Sequence, residues 1–401
     1  MFLKFIQENL RYLTVGIMLM FCSNLGQTFF ISIFAAQIMG AFSLTDGEWG
    51  SLYAIGTFAS GILMIWAGGL ADRFRVRKLA IFFLFAIAGV SIAMVLNPYA
   101  ALIPILIFGL RFTGQGMLSH ISQIAMARWF TANRGKAVSI AMLGFSVGEA
   151  FLPVIFAALI TIFFWKWVWI AAALVPLLFL PILLNLLKEE RTPQSIADTQ
   201  SSAGMGGKHW TRTQVIKHPL FWFLIPLTLS PSAWGTALFF QQVHLAEVKG
   251  WSHVEFAALF PVYTITSVIF ALIAGWAVDR FGTRLLMAVY MLPMVFAFLI
   301  FQQAETLAFA AIGMVLFGMM QGANATVPIS FWSDAYGTRH IGAIKALAAG
   351  IQVLGSAIGP AITGIYIDKG YDFPAQMPAI ALAILVATAL AAIGVWRFSR
   401  S

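Results

Sequence analysis

Long apolar runs separated by short polar loops dominate this chain. A helix needs roughly 20 mostly apolar residues to cross a bilayer. Twelve runs qualify, at about 12–40, 48–70, 79–97, 100–127, 137–163, 166–187, 219–246, 254–277, 285–303, 305–331, 342–366 and 376–397. The pattern predicts an all-α membrane protein of twelve transmembrane helices. The longest polar stretch, residues 188–218, falls between the sixth and seventh runs. It divides the chain into an N-terminal six-helix bundle (1–187), a linker (188–218) and a C-terminal six-helix bundle (219–401). The small-residue run Ser201-Ser202-Ala203-Gly204-Met205-Gly206-Gly207 predicts a linker that is flexible in its middle.

Composition agrees about the solvent. Hydrophobic residues make up 61% and charged residues 10%, and the mean hydropathy is +0.89. A soluble domain carries roughly 25% charged residues. The formal charge of +9 does not read as nucleic-acid binding, because Lys and Arg are dealt out over short loops. Twenty of the 24 basic residues fall on one side of the predicted spans; Lys166, Lys249 and Lys369 fall on the other and Arg111 lies within a span. By the positive-inside rule, both termini are expected in the cytoplasm. The single cysteine, Cys22, excludes an intramolecular disulfide and reads as packing. The first apolar run is too long for a cleavable signal. Short loops suggest a bacterial inner membrane.

An internal repeat ties the halves together. Gly68-Gly69-Leu70-Ala71-Asp72-Arg73-Phe74-Arg75-Val76-Arg77-Lys78 ends the second run, and Gly275-Trp276-Ala277-Val278-Asp279-Arg280-Phe281-Gly282-Thr283-Arg284 ends the eighth. Both read Gly-x-x-x-Asp-Arg-x-x-x-Arg. A repeat at half the chain length means two similar halves, hence two pseudo-symmetric bundles. Arg134 opens a passage reaching Gly144, Gly148 and Pro153, and Arg339 opens a similar one reaching Gly350, Gly355 and Pro360.

These features resemble the major facilitator superfamily of secondary transporters over nearly the whole chain. The resemblance implies two bundles that rock about a substrate site near the midplane. It also implies a gating role for Asp72, Arg73 and Arg77 and for Asp279, Arg280 and Arg284, with Asp72 accepting from amides at the start of span eleven. The first copy carries Arg75 where the family prefers glycine; the second keeps Gly282. Arg128-Trp129-Phe130 with Asn133-Arg134-Gly135-Lys136-Ala137, Lys249-Gly250-Trp251-Ser252 and Gly355-Ser356-Ala357-Ile358-Gly359-Pro360 look like the monocarboxylate and oxalate/formate carriers. Members of that group often carry an arginine within span eight. Here His253, at its outer end, is the nearest basic residue.

Arg111 is the residue with the most to explain. A charge at mid-bilayer costs several kcal/mol unless it meets a cavity or a partner. Glu149 lies at a similar depth on the next span and is the one acid well inside any run. Two readings stay open: a buried ion pair that fixes helix packing, or an arginine that binds an anionic substrate beside a carboxyl that carries the coupled proton. Asn24, Gln27, Gln241, Gln321 and Asn324 sit on spans that line the cavity in this family, so they are candidate substrate contacts. His120 is a weaker candidate, and His244 sits near the outer mouth of span seven.

No phosphate-binding Gly-Lys-Ser/Thr loop and no His-Glu-x-x-His site occurs, so ATP drive, a metal site and a bound cofactor are not expected. The expected function is proton-coupled symport of a small, monocarboxylate-like organic anion by a monomer whose partners are the substrate and the lipid bilayer. The alternative is a proton-antiporting exporter of drugs or metabolites. Such exporters usually place proline beside the span-five glycines; here Glu149 follows Gly148 and proline waits until Pro153. An enzyme would show a cluster of catalytic groups at one depth, and none is evident.

Overall fold

A computed structural model describes residues 2–67, 70, 74–130, 134–188, 203–337 and 340–398. Nearly all of them are helical. The helices are α1, a pair bent by 52° (Phe5–Gly26 and Thr28–Phe42); α2 (Asp46–Ala67); α3 (Val76–Leu96); α4 (Ala100–Trp129); α5 (Arg134–Ile162); and α6 (Trp165–Leu186). After the linker come α7 (Pro219–Phe240); α8 (His253–Phe281) and α9 (Thr283–Gln303); α10 (Leu307–Tyr336); α11 (Ile341–Asp368); and α12 (Phe373–Phe398). Among the described residues, ten helices are long and apolar enough to span a membrane singly, and the bent pair is an eleventh. The 22-residue α2 completes the twelve.

The helices fall into two compact units. One holds Met1–Leu44 and Ser51–Thr199; the other holds Thr45–Gly50 and Gln200–Ser401. In the first, α1 packs along α5 and α4, and α6 along α3. Its centre is aromatic: Phe30 meets Phe156 and Trp169 edge-on at 4.9 and 5.8 Å, a geometry the ring quadrupoles favour. In the second, α8 lies against α10, α7 against α11 and α12, and α9 against α10 and α12. Small residues allow the closest crossings. A Cβ on Gly318 would stand 2.6 Å from the Tyr263 carbonyl, and one on Gly355 would stand 2.8 Å from that of Leu229.

The residues Thr45–Gly50, although they open α2, pack within the second unit. Asp368 accepts from Thr45 Oγ1 (2.7 Å) and from the Gly47 amide (3.0 Å). Trp49 is fully buried and stacks on Phe240 at 5.6 Å. Large apolar side chains such as Phe82, Leu178 and Leu272 are exposed on the outside of the helices. That is the surface expected where lipid is the solvent.

The linker differs from expectation over its described part. Ala203–His218 is folded, because aromatic residues distant in sequence give it a surface to dock on. Met205–Gly207 forms a helical turn closed by a bond from the Gly204 amide to the Lys208 carbonyl (2.9 Å). A short helix, Arg212–Lys217, follows with a Thr211–Gln214 capping box.

Candidate functional site

The polar centre of the first unit is built on two backbone irregularities that face each other. In α1, Asn24–Gly26 tightens into a 3-10 turn and Gln27 is extended (φ −85°, ψ 154°) before helix resumes at Thr28. The interruption frees carbonyls, which local side chains satisfy, as buried backbone in a membrane requires. Ser23 Oγ donates to the Met20 carbonyl (2.7 Å), and Asn24 Nδ2 donates to the Met20 and Phe21 carbonyls (3.3 and 3.0 Å). Asn24 Oδ1 is buried without a hydrogen-bond partner.

In α4, Arg111–Leu118 is π-helical between two α-helical segments. Such bulges widen the helix and are frequent at functional sites. The two faults meet through glycine. A Cβ on Gly114 would lie 2.7 Å from the Gly26 backbone, and one on Gly26 would lie 2.8 Å from the Gln115 amide. Neither position can take a larger residue unless the backbones part.

Arg111 begins the π-helical segment and is 2% exposed. Its Nη1 donates to Thr28 Oγ1 (3.1 Å) and, at 3.5 Å, toward the Gly26 carbonyl. Its guanidinium carbon lies 5.7 Å from the Tyr53 ring centre, and the Tyr53 hydroxyl is 2.6 Å from Thr28 Oγ1. Nε is buried and unpartnered. These partners are all neutral. The sequence pointed to Glu149 as the counter-ion, but the Nη1 hydrogen bonds of Arg111 run to α1 instead. Glu149, 7% exposed on α5, has interactions of its own. It follows Gly148, whose Cα rests on the Asn24 side chain. Thus Asn24 and Arg111 border the α1 break, and the turn of α5 that carries Glu149 packs against it. Thr28 was not foreseen, because nothing in a buried Phe-rich run marks one threonine as an arginine's partner.

The second unit has a comparable fault. α7 ends at Gln241 (φ −89°, ψ 17°), and a short helix, Gln242–Val248, begins at once. Gln241 Nε2 donates to Thr363 Oγ1 (3.2 Å), and Gln242 Oε1 is 3.4 Å from His253 Nε2. On α10, Asn324 Oδ1 accepts from the Tyr290 hydroxyl (3.4 Å), and Gln321 is half-buried. Gln27 is half-buried at the α1 break.

Of the expected gating residues, Asp72 and Arg73 lie outside the described residues. Arg77 lines a cavity of about 280 Å³ with Arg75, Lys78 and Lys188. In the second copy, Asp279, Arg280 and Arg284 lie at the end of α8 and the start of α9, and Arg280 and Arg284 are exposed. Gly282 ends α8 at φ 78°, a left-handed conformation that favours glycine. The next residue, Thr283, donates from Oγ1 to Asp334 Oδ2 (2.8 Å).

Comparison with known proteins accounts for this architecture. The family model of the Major Facilitator Superfamily matches residues 16–360 and again 232–401. A gallate transporter of Pseudomonas putida is 22% identical over 386 residues, covering 88% of this chain and 85% of its own. A sucrose permease of Escherichia coli is 28% identical over 162 residues, 36% of this chain and 39% of the permease. Among solved structures, a bacterial homologue of the human lysosomal transporter Spinster superposes with a TM-score of 0.69 at 16% identity, covering 96% of this chain and 97% of its own. A nucleoside transporter gives 0.69 at 12% identity, covering 96% and 98%. Twelve helices, a repeated loop motif and a family match over most of the sequence have one conclusion: the chain is a multi-pass membrane transporter, not an enzyme, and it belongs to the major facilitator superfamily.

Proposed function

We propose that the protein is a proton-coupled secondary transporter of a small organic anion, working by alternating access. The observation that carries this reading is Arg111, a guanidinium buried at mid-span with Thr28, the Gly26 carbonyl and the Tyr53 ring as its contacts among the described residues. Burying a charge among neutral groups is costly, and a substrate carboxylate would offset that cost. Its unpartnered Nε leaves a donor to spare. A guanidinium suits the task, since its forked donors match a carboxylate's two oxygens. Gallate is itself a carboxylate, so the relative named for its transport is consistent with an anionic substrate. Glu149, buried on the α5 turn whose Gly148 meets Asn24, is our candidate for the group that takes up and releases the coupled proton. We place both termini in the cytoplasm of a bacterial inner membrane and expect a monomer.

The test is uptake into proteoliposomes of a panel of mono- and dicarboxylates, aromatic acids, sugars and nucleosides, with and without an inward proton gradient. Carboxylate uptake that the gradient stimulates, and that Arg111→Gln loses by roughly tenfold to a hundredfold, is expected from a charged hydrogen bond of about 1.5–3 kcal/mol. Uptake of neutral compounds alone, unchanged in Arg111→Gln, would overturn the reading.

A further inference from the structure

The described part of the linker is a strap tied across three helix ends of the second unit. Its first anchor is backbone. Gly204 lies so close to the end of α10 that a Cβ would stand 2.6 Å from the Ala335 carbonyl, and Trp210 donates its amide to the Tyr336 carbonyl (3.0 Å). That carbonyl belongs to the last turn of α10, where intrahelical donors have run out. The strap therefore caps α10 with an amide from 126 positions earlier in the chain.

The second anchor is aromatic. Trp210 meets the His218 ring at 4.9 Å and Tyr336 at 5.5 Å. His218 also faces Tyr336 at 6.0 Å and Phe398 of α12 at 6.4 Å, while Trp332 stacks on Tyr336 at 5.8 Å. Trp210 Nε1 turns back to the Met205 carbonyl (3.2 Å), and Met205 walls a cavity of about 450 Å³ shared with Gly282, Thr283, Arg284 and Asp334. His218 precedes Pro219, so it also fixes where α7 starts.

His218 is the titratable group at the centre of this clasp. Its Nδ1 is buried without a hydrogen-bond partner, and so is the Tyr336 hydroxyl. Among the described residues, no carboxylate is bonded to the His218 ring. Lys217 precedes it, Arg397 stands over the Phe398 ring at 5.6 Å, and both are cations. Asp334, on α10, accepts from Thr283 instead. His209, also on the strap, has its own Nδ1 buried and unpartnered. Burial holds His218 below the ordinary histidine value.

We propose that residues 203–218 form a proton-sensitive strap, docked on the ends of α10 and α12 while His218 is neutral and released when His218 is protonated. The sign follows from linkage. A base whose proton affinity is weakened by docking leaves the docked state fully stable above the free-histidine value of about 6.5. Docking then weakens as pH falls below that value, by at most about tenfold per pH unit for one proton. With the termini in the cytoplasm, the strap would read cytoplasmic acidity at the loop that carries the second motif copy. It does so whatever substrate the protein carries.

Amide hydrogen exchange of the detergent-purified full chain at pH 7.5 and pH 5.0, corrected for intrinsic rates, tests this directly. Peptides from 203–218 should be protected at pH 7.5 and lose roughly tenfold or more of that protection at pH 5.0, with α8 and α9 unchanged. His218→Phe should keep the strap protected at both pH values, His209→Ala should retain the wild-type response, and Trp210→Ala should expose the strap at both. Equal protection of the wild type at the two pH values, tighter docking in acid, or an undiminished response in His218→Phe would each overturn the proposal.

Discussion

Each unit breaks its first helix, and the two breaks are filled differently. The α1 break at Asn24–Gln27 is bordered by Arg111, Thr28, Asn24 and the α5 turn carrying Glu149. The α7 break at Gln241 is closed by amides, a hydroxyl and an imidazole: Gln241 on Thr363, and Gln242 against His253. The neighbouring helices differ too. α4 carries a π-helical segment where it meets the α1 break, whereas α10 runs as one 30-residue α-helix. A shared backbone fault creates a place for polar groups in both halves. The first half sets a guanidinium, Arg111, directly on its break, whereas the described side-chain bonds of Gln241 and Gln242 run to a hydroxyl and an imidazole. Charge is what ties a site to an ionic substrate or a proton. The lesson is that the repeat sets where a site can be, and single residues set what it does.

Neutralising the acid of the first unit should make it behave like the second. Glu149→Gln keeps shape and hydrogen-bonding capacity but cannot release a proton. If Glu149 carries the coupled proton, the rise in uptake between about pH 8 and pH 5.5 in wild-type proteoliposomes should flatten to within about twofold in the variant. Exchange of substrate without a gradient should persist, because binding rests on Arg111. The contrast between the units fails if the pH profile survives unchanged, since the only mid-span acid would then be structural.

The glycine contact between the two faults offers a smaller effect. Gly114→Ala places a methyl 2.7 Å from the Gly26 backbone, which cannot rotate away. In the second unit, a methyl at Gly235 would stand 3.2 Å from Phe317 Cζ, the tip of a side chain that can yield. Overpacking against a rigid neighbour costs about 1–3 kcal/mol. Gly114→Ala should therefore lower the unfolding temperature in detergent clearly, and Gly235→Ala scarcely at all. Equal shifts would show that the α1–α4 contact is no tighter than its counterpart.

Much of this contrast was legible beforehand, and the rest was hidden for physical reasons. Arg111 and Glu149 stand out because charge is rare in apolar runs. The spans read directly from hydropathy, since lipid leaves a helix no alternative. The pairing of Arg111 did not follow, because depth along two helices says nothing of which faces meet; the arginine turns to Thr28. The π-helical segment and the α1 break are invisible to hydropathy, which marks a span and not the regularity of its backbone. The glycines at 26 and 114 gave no warning either, since glycine is common in spans and only the crossing makes these two matter. The linker misled in another way. Its small residues promise freedom, yet Gly204 is small so that it can lie against the end of α10, and Trp210 and His218 hold it there.

The smallest effect should come from the second unit's own break. Gln241→Leu removes the bond to Thr363 Oγ1, but Thr363 keeps its two bonds to the Gly359 and Pro360 carbonyls at 3.0 and 3.2 Å. Little is left unsatisfied, so the loss should be that of one neutral hydrogen bond, about 0.5–1.5 kcal/mol. The leucine regains part of that by burying apolar surface in a position 3% exposed. Uptake should stay within about threefold of wild type, against the roughly tenfold or greater loss in Arg111→Gln, with the two variants assayed side by side at substrate well below saturation. If Gln241→Leu instead abolishes uptake while the protein remains folded, the amide contacts the substrate, and the neutral break is as much a binding element as the charged one.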